Sequence, residues 1–199
     1  PEKFNGFEAG IVVKRPVPFI DEARASYYSI TTNDKIIWVP SIIGLQIPRN
    51  VSKIESRGVD LSIEASDPGT GLSIAVAYSY LDARNISPFG SADGSDGKQL
   101  IYTPNDRVNT SLRWEYEALK VIIDHRFTGV SWFTSDNNPV YYLGANNVID
   151  LHFSWSLTFM KSANTLALSV FNLFNENYKV IQSYPMPLRT VVVSLTTKI

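Results

Sequence analysis

The chain has 199 residues, with 18 Lys and Arg against 19 Asp and Glu, 44% hydrophobic and 12% aromatic residues, and no cysteine. Charges that nearly cancel give no electrostatic case for nucleic acid, which calls for a clustered basic face, and the lack of cysteine excludes a disulfide framework and any thiolate metal site. No run approaches the roughly 18 consecutive apolar residues of a membrane helix, but a membrane crossed by strands needs no such run.

Period-two alternation predicts nine strands in chain order, at 5–15, 22–32, 53–66, 72–84, 107–117, 119–132, 147–158, 164–174 and 188–199. The third places Val59, Leu61, Ile63 and Ala65 on one face and Asp60, Ser62, Glu64 and Ser66 on the other. The fourth carries Leu72, Ile74, Val76, Tyr78 and Tyr80 together, and the fifth Val108, Leu112, Trp114 and Tyr116. In the seventh, Ile149, Leu151, Phe153, Trp155 and Leu157 oppose Asp150, His152, Ser154 and Ser156. No amphipathic helix competes, so the expected fold is all-β.

The connections alternate in length. Short turns fall at RPVPFI, DPGTG, EAL and FMKSAN, and long ones at 33–52, 85–106, 133–146 and 175–187. Short turns at one end and long loops at the other are the plan of an outer-membrane barrel, and the strands reach the roughly 9–11 residues that a tilted crossing needs. A soluble β-sandwich shares the alternation but not the strand length or the loop asymmetry. Tyr78 and Tyr80 are expected at the long-loop end of a strand and Trp114 and Tyr116 at a short-turn end, as two aromatic girdles. Asp60, Glu64, Arg113, Glu115, Asp124, Arg126 and Asp150 would line a wet interior; His125 alone falls on the apolar side, unless a bulge moves it. Bacterial single-chain barrels have even strand numbers, so nine strands predict an incomplete sheet. The start, PEKFNGFEAG, has no initiator Met and no leader, and is expected to be the start of a piece.

Residues 170–199, VFNLFNENYKVIQSYPMPLRTVVVSLTTKI, resemble the carboxy-terminal end of a TonB-dependent outer-membrane receptor. The matching positions are Asn172, Leu173, Phe174, Asn175, Asn177, Tyr178, Tyr184, Pro185, Pro187 and Arg189. NVSKIESRGVDLSIEA, with Glu55, Gly58 and Asp60, is similar to another strand of that family. PEKFNGFEAGI, with Pro1, Glu2, Phe7, Glu8 and Gly10, and YTPNDRVNTSL are similar to two strand entries. Two positions depart from the pattern: Leu188 stands where the family usually has Gly, and Ile199 where it usually ends in Phe.

The resemblance implies that residues 1–199 are the carboxy-terminal portion of a barrel of about 22 strands, with the plug domain absent from this stretch. It implies residence in the outer membrane of a Gram-negative bacterium, lipid around the barrel, and TonB engaged through the missing plug. The expected activity is active uptake of a scarce small-molecule nutrient complex, such as a ferric siderophore, cobalamin or haem. Two other readings stay open: an autonomous small outer-membrane pore or adhesin barrel, and a soluble β-rich binding module.

No cofactor is implied, and no enzyme. Asp150, His152 and Ser154 share one strand face, but spacing alone does not make a catalytic set, and a polar luminal stripe is the simpler account. Two His on opposite faces give no metal site, and Asp93 and Asp96 in GSADGSDG lack the ligand order of a calcium loop. The candidate ligand contacts are the long-loop aromatics Trp38, Tyr102, Tyr141 and Tyr142, which can stack on a flat ligand. Trp132 and Phe133 are assigned to the girdle.

Overall fold

A computed structural model describes residues 2–40, 45–86, 94–159 and 162–198. It has β1 (Lys3–Val17), β2 (Ile20–Pro40), β3 (Gln46–Asp67), β4 (Leu72–Asn85), β5 (Asp106–Tyr116), β6 (Leu119–Thr128), β7 (Ser131–Trp132), β8 (Tyr142–Leu143), β9 (Asn146–Phe159), β10 (Ser162–Phe171), β11 (Lys179–Ile181), β12 (Tyr184–Pro185) and β13 (Thr190–Lys198). Nine of them form one antiparallel sheet in the order β1-β2-β3-β4-β5-β6-β9-β10-β13; β7 pairs with β8 and β11 with β12. The nine long strands are those that alternation predicts. The sheet is open, with β1 and β13 as its two edges.

Cross-strand register divides the side chains into two faces. Val13, Ala23, Ile63, Val76, Thr110, His125 and Ile149 follow one another across the sheet on one face. The next row, Lys14, Glu22, Glu64, Ala75, Ser111, Asp124 and Asp150, lies on the other. The apolar face has no second layer to pack against: Leu61, Ile63, Leu72 and Trp155 are each about 40% exposed or more, and the buried apolar residues among those described are Ile54, Ala83, Leu143 and Val148. A sandwich would cover that face with a second sheet. One bare apolar sheet of this width fits lipid on one side and a wet lumen on the other.

At the short-turn end, Trp114 and Tyr116 stack at 5.9 Å and 4° between planes. β4 runs to Asn85, within one residue of its expected end, so Tyr78 and Tyr80 lie in its upper half rather than at its last residues. They still mark the top of the apolar band, since the next positions on their face are Asp82 and Arg84, which pair with each other at 2.8 Å. At the same end Phe7 and Tyr27 contact at 5.8 Å.

His125 stays on the apolar face. The β5–β6 and β6–β9 ladders hold an unbroken register around it, and its Nε2 meets Asn147 Oδ1 at 3.1 Å. Gly58 pairs with Tyr28 across β2–β3, and the phenol lies over it. A Cβ there would run into that ring and come within 2.7 Å of the Tyr80 carbonyl oxygen, which is a physical reason for glycine at this motif position.

The 33–52 stretch is corrected from loop to hairpin. β2 and β3 pair from Lys35–Val51 out to Pro40–Gln46, with KIIWV itself rich in β-branched and aromatic types. Two further strands are shorter than predicted: β6 ends at Thr128 and β10 at Phe171, where Asn172 takes a positive φ of 52°. Leu188 has no positive φ, and the left-handed turn residue is Ser183 at 70°, so this turn does not need glycine at 188. Ile199 and Asp93 lie outside the described residues.

Candidate functional site

Three connections lie at the end of the sheet opposite the short turns: 86–105, 129–145 and 172–189. The first continues the β4 edge, with Leu100 N–H donating to Ala83 O (2.8 Å) and Asn85 N–H to Lys98 O (3.0 Å). Gln99, only 8% exposed, holds this fold of chain in place. Its Oε1 accepts from Ala83 N–H at 3.0 Å, and its Nε2 donates to the carbonyls of Leu81 and Thr103, each at 3.2 Å.

Asn137 then ties the second connection to the first. Its Oδ1 accepts from Gln99 N–H at 2.8 Å and its Nδ2 donates to Gln99 O at 2.9 Å. Tyr102 N–H donates to Trp132 O at 2.7 Å. The Tyr102 hydroxyl is held above the usual tyrosine value by burial, which a backbone hydrogen bond with Gln182 of the third connection opposes.

The third connection is organised by Asn172, which is 4% exposed. Its Oδ1 accepts from Glu176 N–H at 2.7 Å, and its Nδ2 donates to Glu176 O (2.9 Å) and Pro187 O (3.2 Å). Its own N–H donates to Asp150 Oδ1 at 2.8 Å. Asn175 Oδ1 accepts from Arg189 N–H at 2.9 Å, closing the turn that leads into β13. The NLFN element is thus a turn whose two asparagine amides replace a backbone ladder.

The candidate contacts separate. Tyr141 and Tyr142 are about half exposed and sit at the hairpin of β7 and β8. Tyr142 packs edge-on against Trp132 at 6.2 Å, and Tyr141 against Phe133 at 5.8 Å. Trp132 and Phe133 therefore belong to this loop hairpin rather than to a strand-end girdle. β11 lies against β8, leaving a cleft of about 310 Å³ bounded by Tyr142, Gly144, Glu176, Tyr178, Lys179 and Gln182. Tyr102 reaches this neighbourhood through Gln182; the Trp38 backbone pairs with Pro48 in the projecting hairpin, and its side chain lies outside what the structure describes. Gln99, Asn137 and the role of Asp150 are not legible in the strand alternation.

The polar face lines a cleft of about 490 Å³ that includes Glu64, Asn109, Ser111, Asp124, Arg126 and Asp150. Asp150, His152 and Ser154 do not converge there. Asp150 is taken by Arg126 and Asn172, and His152 Nδ1 meets Ser169 Oγ at 2.9 Å instead. The nearest carboxylate oxygen to His152 Nε2 belongs to Asp124 at 3.8 Å, too far for a hydrogen bond. Among the described residues no three His, Asp or Glu are gathered to hold a metal.

An antiparallel sheet, apolar outside and polar inside, with tight turns below and packed loops above, is the wall of a transmembrane β-barrel. The chain belongs to the TonB dependent receptor-like, beta-barrel family, whose pattern matches residues 1–173. Among solved structures, the ferric preacinetobactin receptor BauA from Acinetobacter baumannii superposes with TM-score 0.76 over 98% of this chain and 29% of its own, at 17% identity. The ferric yersiniabactin uptake receptor FyuA from Yersinia pestis gives 0.71, 98%, 29% and 18%, and the ferric citrate transporter FecA 0.77, 99%, 31% and 14%. The chain thus spans about three tenths of the length of these proteins. No curated protein matches the sequence.

Proposed function

We propose that this chain is the carboxy-terminal barrel portion of an outer-membrane receptor of a Gram-negative bacterium that imports a scarce nutrient complex. A ferric siderophore is the favoured class, since BauA, FyuA and FecA are named for ferric complexes. Cobalamin remains the second class to test. A plug domain elsewhere in the same protein would fill the lumen and contact TonB, which supplies the energy. The reading includes no covalent chemistry, and the polar stripe of β9 serves as wall.

One observation carries the reading. The fold joins a lipid-type outer face to an interlocked rim where tyrosines stand half exposed beside a small cleft. Tyr142 and Tyr102 are the favoured ligand contacts, Tyr141 follows, and Trp38 stands apart on its hairpin. Tyrosine supplies apolar area, a π face and a hydroxyl to a catechol- or ring-bearing iron chelate.

The test is uptake by the complete receptor in iron-limited cells, using a panel of labelled ferric siderophores and cobalamin. Deleting the gene should abolish uptake of one of them. Tyr142→Ala should raise the half-saturating concentration of that ligand about tenfold, the loss expected for one buried aromatic contact of roughly 1.5 kcal/mol, with the maximal rate unchanged. A deletion that affects no panel member rejects the uptake reading; an unchanged half-saturating concentration removes Tyr142 as a contact.

A further inference from the structure

We propose that Arg126 and Asp150 form a latch by which the luminal wall sets the order of the 172–189 connection, making both of them positioning residues for the cleft beside Tyr142. The importance of that cleft rests on the reading just given; the latch itself does not.

Asp150 stands directly opposite Asp124 across β6–β9. Like charges facing each other across a ladder are destabilising, and Asp150 is also only 5% exposed. It is held by dividing its two oxygens. Oδ2 accepts from Arg126 Nη2 at 2.9 Å, a diagonal pair on the same face, while Oδ1 accepts the Asn172 N–H at 2.8 Å. Asn172 in turn grips Glu176 and Pro187. A cation on the inner wall is therefore linked, through consecutive hydrogen bonds, to the base of the outermost connection.

The two partners are unequally placed. The Arg126 side chain is 53% exposed towards the luminal cleft, and that of Asp150 is 7% exposed. Whatever engages the guanidinium from the lumen therefore acts on Asp150 without touching the loop. Without Arg126, Asp150 would be a buried anion facing Asp124, with one hydrogen bond left. Such a charge is relieved by turning to water, and turning releases Asn172 N–H. His152 is no substitute, since its Nδ1 is engaged with Ser169 and its Nε2 is directed at Asp124, 3.8 Å away.

The complete receptor, folded and heat-modifiable on gels, offers two trypsin sites that separate the latch from general loosening. Lys179 lies in the 172–189 connection and Lys98 in 86–105, both exposed. Arg126→Met should speed cleavage at Lys179 roughly tenfold, the factor for loss of one charge-assisted hydrogen bond when cleavage follows loop opening, and leave Lys98 unchanged. Adding Asp150→Asn to Arg126→Met should restore the slow rate, because a neutral amide still accepts from Asn172 and needs no cation. No change at Lys179, equal acceleration at Lys98, or failure of the rescue overturns the latch. Uptake assays on the same variants report separately: a working latch with ligand affinity indifferent to Tyr142→Ala would reject the cleft and leave the latch standing.

Discussion

The projecting β2–β3 hairpin and the three interlocked connections leave the same end of the sheet and are ordered by opposite means. Beyond Asn33 and Ile54 neither β1 nor β4 accompanies the hairpin, so it stands as a two-stranded ribbon on main-chain pairing out to Pro40–Gln46. Pro40 and Pro48 are tolerated because such a ribbon has open edges where a missing donor is harmless. Among the described residues, the other connections contain only strands of two or three residues and are held by Gln99, Asn137, Asn172 and Asn175. In a ladder, each residue contributes a small, similar share. Where side-chain amides replace the ladder, single residues carry most of the order, and truncating one leaves buried backbone groups without partners.

The largest expected effect is at Asn172. Asn172→Ala removes three hydrogen bonds at about 1 kcal/mol each and places alanine in the left-handed region, for roughly 1 kcal/mol more. Trypsin cleavage at Lys179 in the complete receptor should accelerate by more than about a hundredfold. An alanine at Ile36, an exposed position in the ribbon, leaves the main-chain ladder intact and should cost under about 1 kcal/mol. Comparable protease sensitivity in the two variants would remove the distinction between the regions.

Gln99→Ala comes second. It strips the partner from Ala83 N–H and a donor from each of the carbonyls of Leu81 and Thr103, although Leu81 keeps Asn105 Nδ2, while Asn137 still pairs with the main chain at position 99. About 2 kcal/mol of local stability should be lost, read as faster cleavage at Lys98. Lys179 should respond far less, because the third connection has its own anchor in Asn172. Equal acceleration at both sites would show that the connections open as one body rather than as separately anchored loops.

Much of this molecule can be read from its sequence, for reasons that also explain what cannot. Strands such as 53–66 and 147–158 declare themselves because one face meets lipid and the other water, so the alternation is enforced at every position. The reach of β2 and β3 to Pro40 and Gln46 was hidden because KIIWVPSIIGLQIP is apolar without alternating, and the two prolines in it resemble loop chemistry. Tyr80 marks the top of the apolar band without ending its strand, since hydrogen bonding continues past the membrane boundary while patterning does not. In the rim, Asn172 was visible as part of a motif, although its bonds to Glu176 and Pro187 were not. Gln99 and Asn137 left no trace, because a reciprocal bond across 38 positions has no period. Tyr102, Tyr141 and Tyr142 were legible as loop aromatics, but only the pairing of β7 with β8 separates Tyr141 on Phe133 from Tyr142 on Trp132.

The smallest expected effect uses alkaline pH, to which the two regions should respond differently. Tyr102 is held above the ordinary tyrosine value, chiefly by burial. Its neutral form is thus favoured in the folded rim, while an unfolded tyrosine ionises near 10. The corresponding stability is fully present below pH of about 10 and is lost as pH rises through the higher folded value. Tyrosinate absorbance of the complete receptor minus that of Tyr102→Phe should isolate one phenol titrating above pH of about 10. Protection of the 94–105 segment should fall across the same interval and remain flat in Tyr102→Phe, which cannot ionise. The hairpin from 33 to 53 has no tyrosine, so its response to alkaline pH should be the same in Tyr102→Phe as in the parent protein. A phenol at position 102 that ionises at the ordinary value would mean that it is not enclosed between the first and third connections, and would leave Gln99 and Asn137 as the links that bind the rim.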